Sequence, residues 1–313
     1  IIARLAFPWA FSIQKILHVA QPFRFKRQNV FVGSDYGGDH KASNYKTYGF
    51  LFSAYRNSDW ELERRTVRKK FLADGRRMSF KHLNDPIKQR ALVPFLQAAD
   101  SIDGHLVCFL VHKNFQFLST YKAALNEWRG NYKLKGKWNP GAFESMSRKV
   151  HFFALCLTQW ALPSTHVTWI TDEDEFVAND ARLDDAQQLA ARVSSIYSPH
   201  SFGVFAMNST AIDDESKEFE DFVAIPDLAS GMLAEVRTKI GTINTLPGTE
   251  PIEINNNELT DKSDIILDWF WFPHSSLKRT CIVIDRIDNS SVVWKLDIQK
   301  AGYLISSKRT FFI

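Results

Sequence analysis

Acidic residues stand at three places where an α/β chain commonly builds a site: Asp35 with Asp39, the run Asp172-Glu173-Asp174-Glu175, and Asp227 ahead of Ala229-Ser230-Gly231. Asp213, Asp214 and Glu215 form a separate loop cluster. Functional groups in such folds gather beyond the ends of strands. Carboxylates that meet from separate elements repel one another, and a hard cation such as Mg²⁺ or Mn²⁺ relieves the repulsion while taking their oxygens as ligands. Two ions held this way can drive phosphoryl chemistry, one activating water and one steadying the leaving oxygen. Each acid also has a plainer explanation. Asp35 before Tyr36-Gly37-Gly38 suits a turn, the Asp172 to Glu175 run suits a solvated helix cap, and Asp227 after Pro226 suits an N-cap.

Basic residues are concentrated near these acids in sequence. Between Glu61 and Arg90 lie Arg64, Arg65, Arg68, Lys69, Lys70, Arg76, Arg77, Lys81, Lys88 and Arg90, opposed only by Glu61, Glu63, Asp74 and Asp85. Such an excess attracts a phosphate backbone and makes binding salt-dependent, although a solvated helix face has the same composition. A second patch, Lys133, Lys135, Lys137, Arg148 and Lys149, includes Tyr132 and Trp138, whose rings suit stacking on single-stranded bases. His40 and His82 are candidate proton carriers, each better explained as a lone surface histidine.

These residues need elements to place them. Val30-Phe31-Val32 running into Gly33-Ser34-Asp35, with Gly37-Gly38 beyond, predicts a strand and turn, and Thr47 to Tyr55 its returning partner. Ile87, Leu92, Phe95 and Leu96 recur at helical spacing behind Asp85-Pro86, a cap followed by a first-turn proline. The run from Leu106 to Val111 reads as a central buried strand, and His166 to Thr171 as another. Helices are predicted over about Ser145 to Leu162, ended by Pro163, and over Leu183 to Tyr197. Phe202 to Met207 reads as a strand, and Phe222 to Val236 as a strand continuing into a helix. A hairpin followed by alternating strands and helices makes this an α/β chain with a mixed sheet covered on both faces.

Composition narrows the class. An apolar content of 45% with 24% charged residues and a net charge of +4 describes an ordinary globular protein. Cys108, Cys156 and Cys281 lie far apart in apolar runs, which reads as reduced core thiols and a cytoplasmic setting. Arg4, Gln14 and Lys15 interrupt the apolar N-terminal stretch, so no membrane span is expected there. No Gly-x-x-x-x-Gly-Lys phosphate loop occurs, which ranks chemistry on phosphorylated small molecules last.

The ordered set Gly33-Ser34-Asp35-Tyr36-Gly37-Gly38-Asp39, Ser79-Phe80-Lys81, Trp169-Ile170-Thr171-Asp172-Glu173 and Ile225-Pro226-Asp227-Leu228-Ala229-Ser230-Gly231 resembles the domain of unknown function family 3800. That family looks like a branch of the ribonuclease H-like nucleases. The resemblance covers about residues 29 to 240, between an N-terminal helical segment (1–28) and a C-terminal extension (241–313) expected to pack on the core. It implies a ribonuclease H-like mixed sheet flanked by helices and a Mg²⁺- or Mn²⁺-dependent nuclease. Asp35, Asp172 or Asp174, and Asp227 would be metal ligands, with Lys81 near a phosphate or the attacking water. Nucleic acid, DNA or RNA, would lie against Arg64, Arg65, Arg68, Lys69, Lys70, Arg76, Arg77, Lys137 and Trp138. A protein partner or a second copy of the chain would use the terminal regions. Tyr36, Pro226 and Ser79 stand where the family pattern has Glu, Ala and Glu. The last of these departures keeps open a second reading, a nucleic-acid-binding or assembly protein on the same fold.

Overall fold

Side chains alternate across a strand with a period of two, and the strands of this chain carry apolar residues at both parities. Such a sheet must be covered on both faces. The computed structural model describes residues 9–19, 28–39, 41, 43–54, 58–115, 126, 130–131, 133–240, 251–254, 259–271, 276–287 and 290–300. Its first half runs α1 (Ala10–Val19), β1 (Asn29–Gly37), β2 (Tyr45–Ala54), α2 (Ser58–Phe71), α3 (Pro86–Ala99), β3 (Gly104–His112) and α4 (Pro140–Trp160). The second half runs β4 (His166–Thr171), α5 (Asp180–Tyr197), β5 (Phe205–Ser209), α6 (Glu218–Ile240), β6 (Ile252–Ile254), α7 (Asp261–Trp271), β7 (Lys278–Ile287), β8 (Ser290–Lys295) and β9 (Ile298–Lys300).

Seven strands form one mixed sheet in the order β5-β4-β1-β2-β3-β7-β8. Within it β1, β4 and β5 run parallel, whereas β2 is antiparallel to both β1 and β3. The segment after Ile240 joins this sheet, because β7 pairs in parallel with β3 and β8 in antiparallel with β7. Val30 and Val32 of β1 face a core shared with α1, α4 and α5. Phe31 faces the opposite core, shared with α2, α3, α6 and α7. The same alternation splits β3 into Val107, Phe109 and Val111 on one face and Leu106, Cys108 and Leu110 on the other. The three cysteines are buried and unpaired. Among the described residues no helix is long and apolar enough to cross a membrane.

Several local expectations hold. Asp85 caps α3 by accepting from the Ile87 and Lys88 N–H groups, and Pro86 opens the helix. Helix α4 begins five residues before the expected Ser145, because Asn139 caps it by accepting from the Ala142 N–H and Pro140 follows at its first turn. The largest revision concerns Phe222 to Val236, which is helical throughout. Its run Phe222-Val223-Ala224-Ile225 is buried all round, and an unbroken apolar run of that length does not distinguish a buried strand from a buried helix. Asp227 is therefore no N-cap: it lies in the interior of α6, directly after Pro226.

Candidate functional site

Asp35 is an interior residue of β1, paired across the sheet with Gly49 of β2, so the turn explanation does not apply to it. It shares parity with Phe31 and therefore faces α6, which packs across β1 and β2 on that side. Gly49 sets the approach. A Cβ there would stand 2.9 Å from the Pro226 carbonyl oxygen and 2.6 Å from the Ser230 hydroxyl. Only a glycine lets the backbone of α6 come this near the sheet, and the closeness carries Asp227 onto Asp35.

The Asp35 and Asp227 carboxyls lie within hydrogen-bonding reach of each other, Asp35 buried and Asp227 half-buried. Burial pushes Asp35 well above the ordinary carboxylate range, and the neighbouring charges of Asp227 and Asp172 add to the effect. Burial likewise raises Asp227, to about 6. The Phe80 N–H, 2.8 Å from Asp227 Oδ2, and the Arg77 guanidinium pull in the opposite direction. The protein thus holds two carboxyls side by side, with the Arg77 guanidinium nearby.

Asp172 completes this cluster from the end of β4. Its N–H donates to the Ser34 carbonyl at 3.3 Å, continuing the β1–β4 ladder by one residue and giving it the parity of Ile170, toward α6. Arg77 Nη2 lies 2.7 Å from Asp172 Oδ1, and the Thr210 hydroxyl donates to the same oxygen at 3.2 Å.

Asp174 does not join them. Lys149 of α4 holds it in a short ion pair, and the Lys149 ammonium stands 4.1 Å from the centroid of the Tyr36 ring and 4.2 Å from that of Phe176. Tyr36 follows Asp35 and so belongs to the opposite face, where α4 packs. One residue of strand parity separates the Asp35 cluster from the Lys149 cluster. Burial lowers the Lys149 pKa despite the adjoining carboxylate.

No protein-family model matches the chain, and no curated protein matches it.

Other expected site residues lie elsewhere. Lys81 is exposed on a short 3-10 turn, Phe80–His82, and touches none of the carboxylates. The turn serves the site through the Phe80 backbone instead. Ser79 makes no capping hydrogen bond and brings no acid to the cluster. Asp39 is exposed and pairs with Lys46 at 2.8 Å. Asp213 accepts from the Glu220 N–H at 2.7 Å at the start of α6, a capping role. His40 and Tyr132 lie outside the described residues.

The basic patch is largely spent on internal pairs. Arg64, expected at a nucleic-acid surface, is fully buried and bonds Glu61 and Asp221. Arg68 forms a two-pronged pair with the same Asp221, clamping α2 to α6. Arg65 pairs with Glu61 at 2.5 Å, and Arg76 pairs with Asp74 and Asp85. Trp138, expected to stack on bases, is buried, donates its indole N–H to Asp185 at 2.8 Å and carries Arg182 over its ring. Lys69, Lys70 and Lys137 remain exposed.

Among the described residues no three His, Cys, Asp or Glu side chains form a ready metal cage. Asp35 and Asp227 meet, while Asp172 is turned to Arg77. The donor chemistry nonetheless fits a hard divalent ion, since the set is all carboxylate oxygen, Asp35 buried and Asp227 and Asp172 half-buried, with one guanidinium as the cation beside it. Sequence order located the acids. It does not locate Arg77 or Lys149 as their partners, because in sequence both sit among surface charges and only the fold brings them inward.

Proposed function

We propose that this protein is a divalent-metal-dependent phosphodiesterase of ribonuclease H-like type that acts on nucleic acid. One observation carries the reading: buried Asp35 of β1 and half-buried Asp227 of α6, remote in sequence, are brought against each other with Asp172 in the same electrostatic cluster. Burying like-charged groups together is costly, and a site that binds a cation is a physical reason to keep such an arrangement. A mixed sheet that opens with the β1–β2 hairpin and is flanked by helices on both faces is compatible with the ribonuclease H-like expectation and supports that part of the reading.

Asp35, Asp227 and Asp172 would hold Mg²⁺ or Mn²⁺, which supplies activation of water and stabilisation of the leaving oxygen when bound. The other groups position these ligands. The Phe80 N–H fixes one oxygen of Asp227, and the Thr210 hydroxyl fixes one of Asp172. Gly49 lets α6 close on the sheet. Exposed Lys69, Lys70 and Lys137 offer phosphate contacts that depend on salt.

A second reading, a binding or assembly protein that no longer cuts, is favoured by Ser79, which leaves the site one acid short of the family pattern. Both are tested by incubating the purified protein with DNA, RNA and hybrid substrates across a Mg²⁺ and Mn²⁺ series. The nuclease reading expects cutting that a chelator and Asp35→Asn abolish. Salt-sensitive binding without cutting, unchanged in Asp35→Asn, favours the second.

A further inference from the structure

Arg77 is not a surface arginine in the ordinary sense. Its side chain is 30% exposed, yet Nη2 reaches 2.7 Å from Asp172 Oδ1. Asp227 and Asp35 also face it. Its Nε–H is buried and has no hydrogen-bond partner. A guanidinium presents a planar fork that suits two parallel bonds to a carboxylate or a phosphate, and a buried donor left unused is unfavourable. The structure therefore holds a cation among the acids, at the rim of the site, with part of its bonding capacity unspent.

We propose that Arg77 is the phosphate-contacting residue of this site, held in reserve by Asp172: a divalent cation competes with Arg77 for that carboxylate, and once the cation holds it the guanidinium turns to a phosphodiester. The proposal rests on the phosphodiesterase reading given above. No bond is made or broken in the exchange. The ion pair with Asp172 is replaced by one with phosphate, and the unspent Nε–H becomes available for the second prong.

The test measures Mn²⁺ binding by titration calorimetry for the wild type, Arg77→Gln and Arg77→Lys, and binding of a short oligonucleotide, as DNA and as RNA, with Ca²⁺ in place of Mn²⁺. Removing the competing cation is expected to tighten Mn²⁺ binding about tenfold in Arg77→Gln and to weaken oligonucleotide binding by about the same factor. Arg77→Lys keeps the charge without the fork, so it should tighten Mn²⁺ less and still lose oligonucleotide affinity. Arg77→Lys decides the matter if Arg77→Gln fails to fold. Wild type that binds Mn²⁺ while the variants bind it equally or more weakly overturns the proposal and leaves the phosphodiesterase reading standing, as does unchanged oligonucleotide affinity. Absence of Mn²⁺ binding in every protein overturns both.

Discussion

Buried Asp35 of β1 and half-buried Asp227 of α6 bring their carboxyls together beside Gly49, the residue opposite Asp35 in the β1–β2 ladder. Three requirements converge on this contact: a strand parity that points Asp35 toward α6, a glycine that lets the helix approach, and a helical register that turns Asp227 inward. Each can be perturbed separately.

Gly49→Ala tests the approach. The added methyl would meet the Pro226 carbonyl, a backbone atom that moves only with the helix. Overpacking of this kind costs roughly 1–3 kcal/mol. We expect a lower thermal midpoint together with loss of the Mn²⁺-induced rise in that midpoint, read by scanning calorimetry. A Gly49→Ala protein that keeps its full response to Mn²⁺ would show that Gly49 does not set the carboxylate geometry.

Asp35→Asn tests what the pair is for. A neutral amide of the same shape removes the like-charge repulsion, so the metal-free variant should be as stable as the wild type at pH 8, or more stable by about 1–2 kcal/mol. Stabilisation by Mn²⁺ should disappear. Urea denaturation with chelator and with Mn²⁺ measures both. A variant markedly less stable in chelator would mean that Asp35 serves folding and not a ligand.

The pH dependence has a definite sign. Asp227 is raised in the folded protein from 3.8 to about 6, so between these values the folded chain keeps a proton that the unfolded chain releases. Its contribution is fully present below about pH 4 and is lost as pH rises through 6, on the order of 3 kcal/mol. Asp35 shifts in the same direction. In chelator, wild type should therefore lose stability relative to Asp227→Asn as pH is raised from 4 to 8, and Mn²⁺ should restore it at the alkaline end. Parallel stability profiles for the two proteins would remove this account of the pair.

How far the site was legible in the sequence depends on which kind of signal each residue carries. The strand ending in Gly33-Ser34-Asp35 and the strand before Asp172 announced themselves by apolar runs with polar stops. The helix holding Asp227 did not, because the run Phe222-Val223-Ala224-Ile225 ahead of it is apolar and buried throughout and Pro226 resembles a helix start. Asp174 stands beside Asp172 in sequence, yet the two divide between opposite faces of the sheet. The basic run between Glu61 and Arg90 was the least legible part. Composition cannot distinguish an arginine that faces solvent from one whose acid partner lies more than 150 residues away, as Asp221 does for Arg64 and Arg68.

That division of the basic run yields the last prediction. Asp221 is fully buried beneath Arg64, also fully buried, and Arg68, which is nearly so. Removing one member of a buried charge network leaves the others uncompensated, at a cost of about 3–5 kcal/mol. Asp221→Ala should therefore destabilise the protein by that amount, and Arg64→Ala comparably, both read by urea denaturation. Lys69→Ala with Lys70→Ala touches only exposed ammonium groups, one of them 5.1 Å from the centroid of the Phe71 ring. The double variant should shift stability by less than about 0.5 kcal/mol for each change. If nucleic acid lies along α2, it should also weaken binding and flatten the salt dependence by roughly one unit of slope per lost phosphate contact. An unchanged salt slope in the double variant would place the nucleic-acid path away from α2 and leave the helix with a structural role, through Arg64 and Arg68, in holding α6 against the sheet.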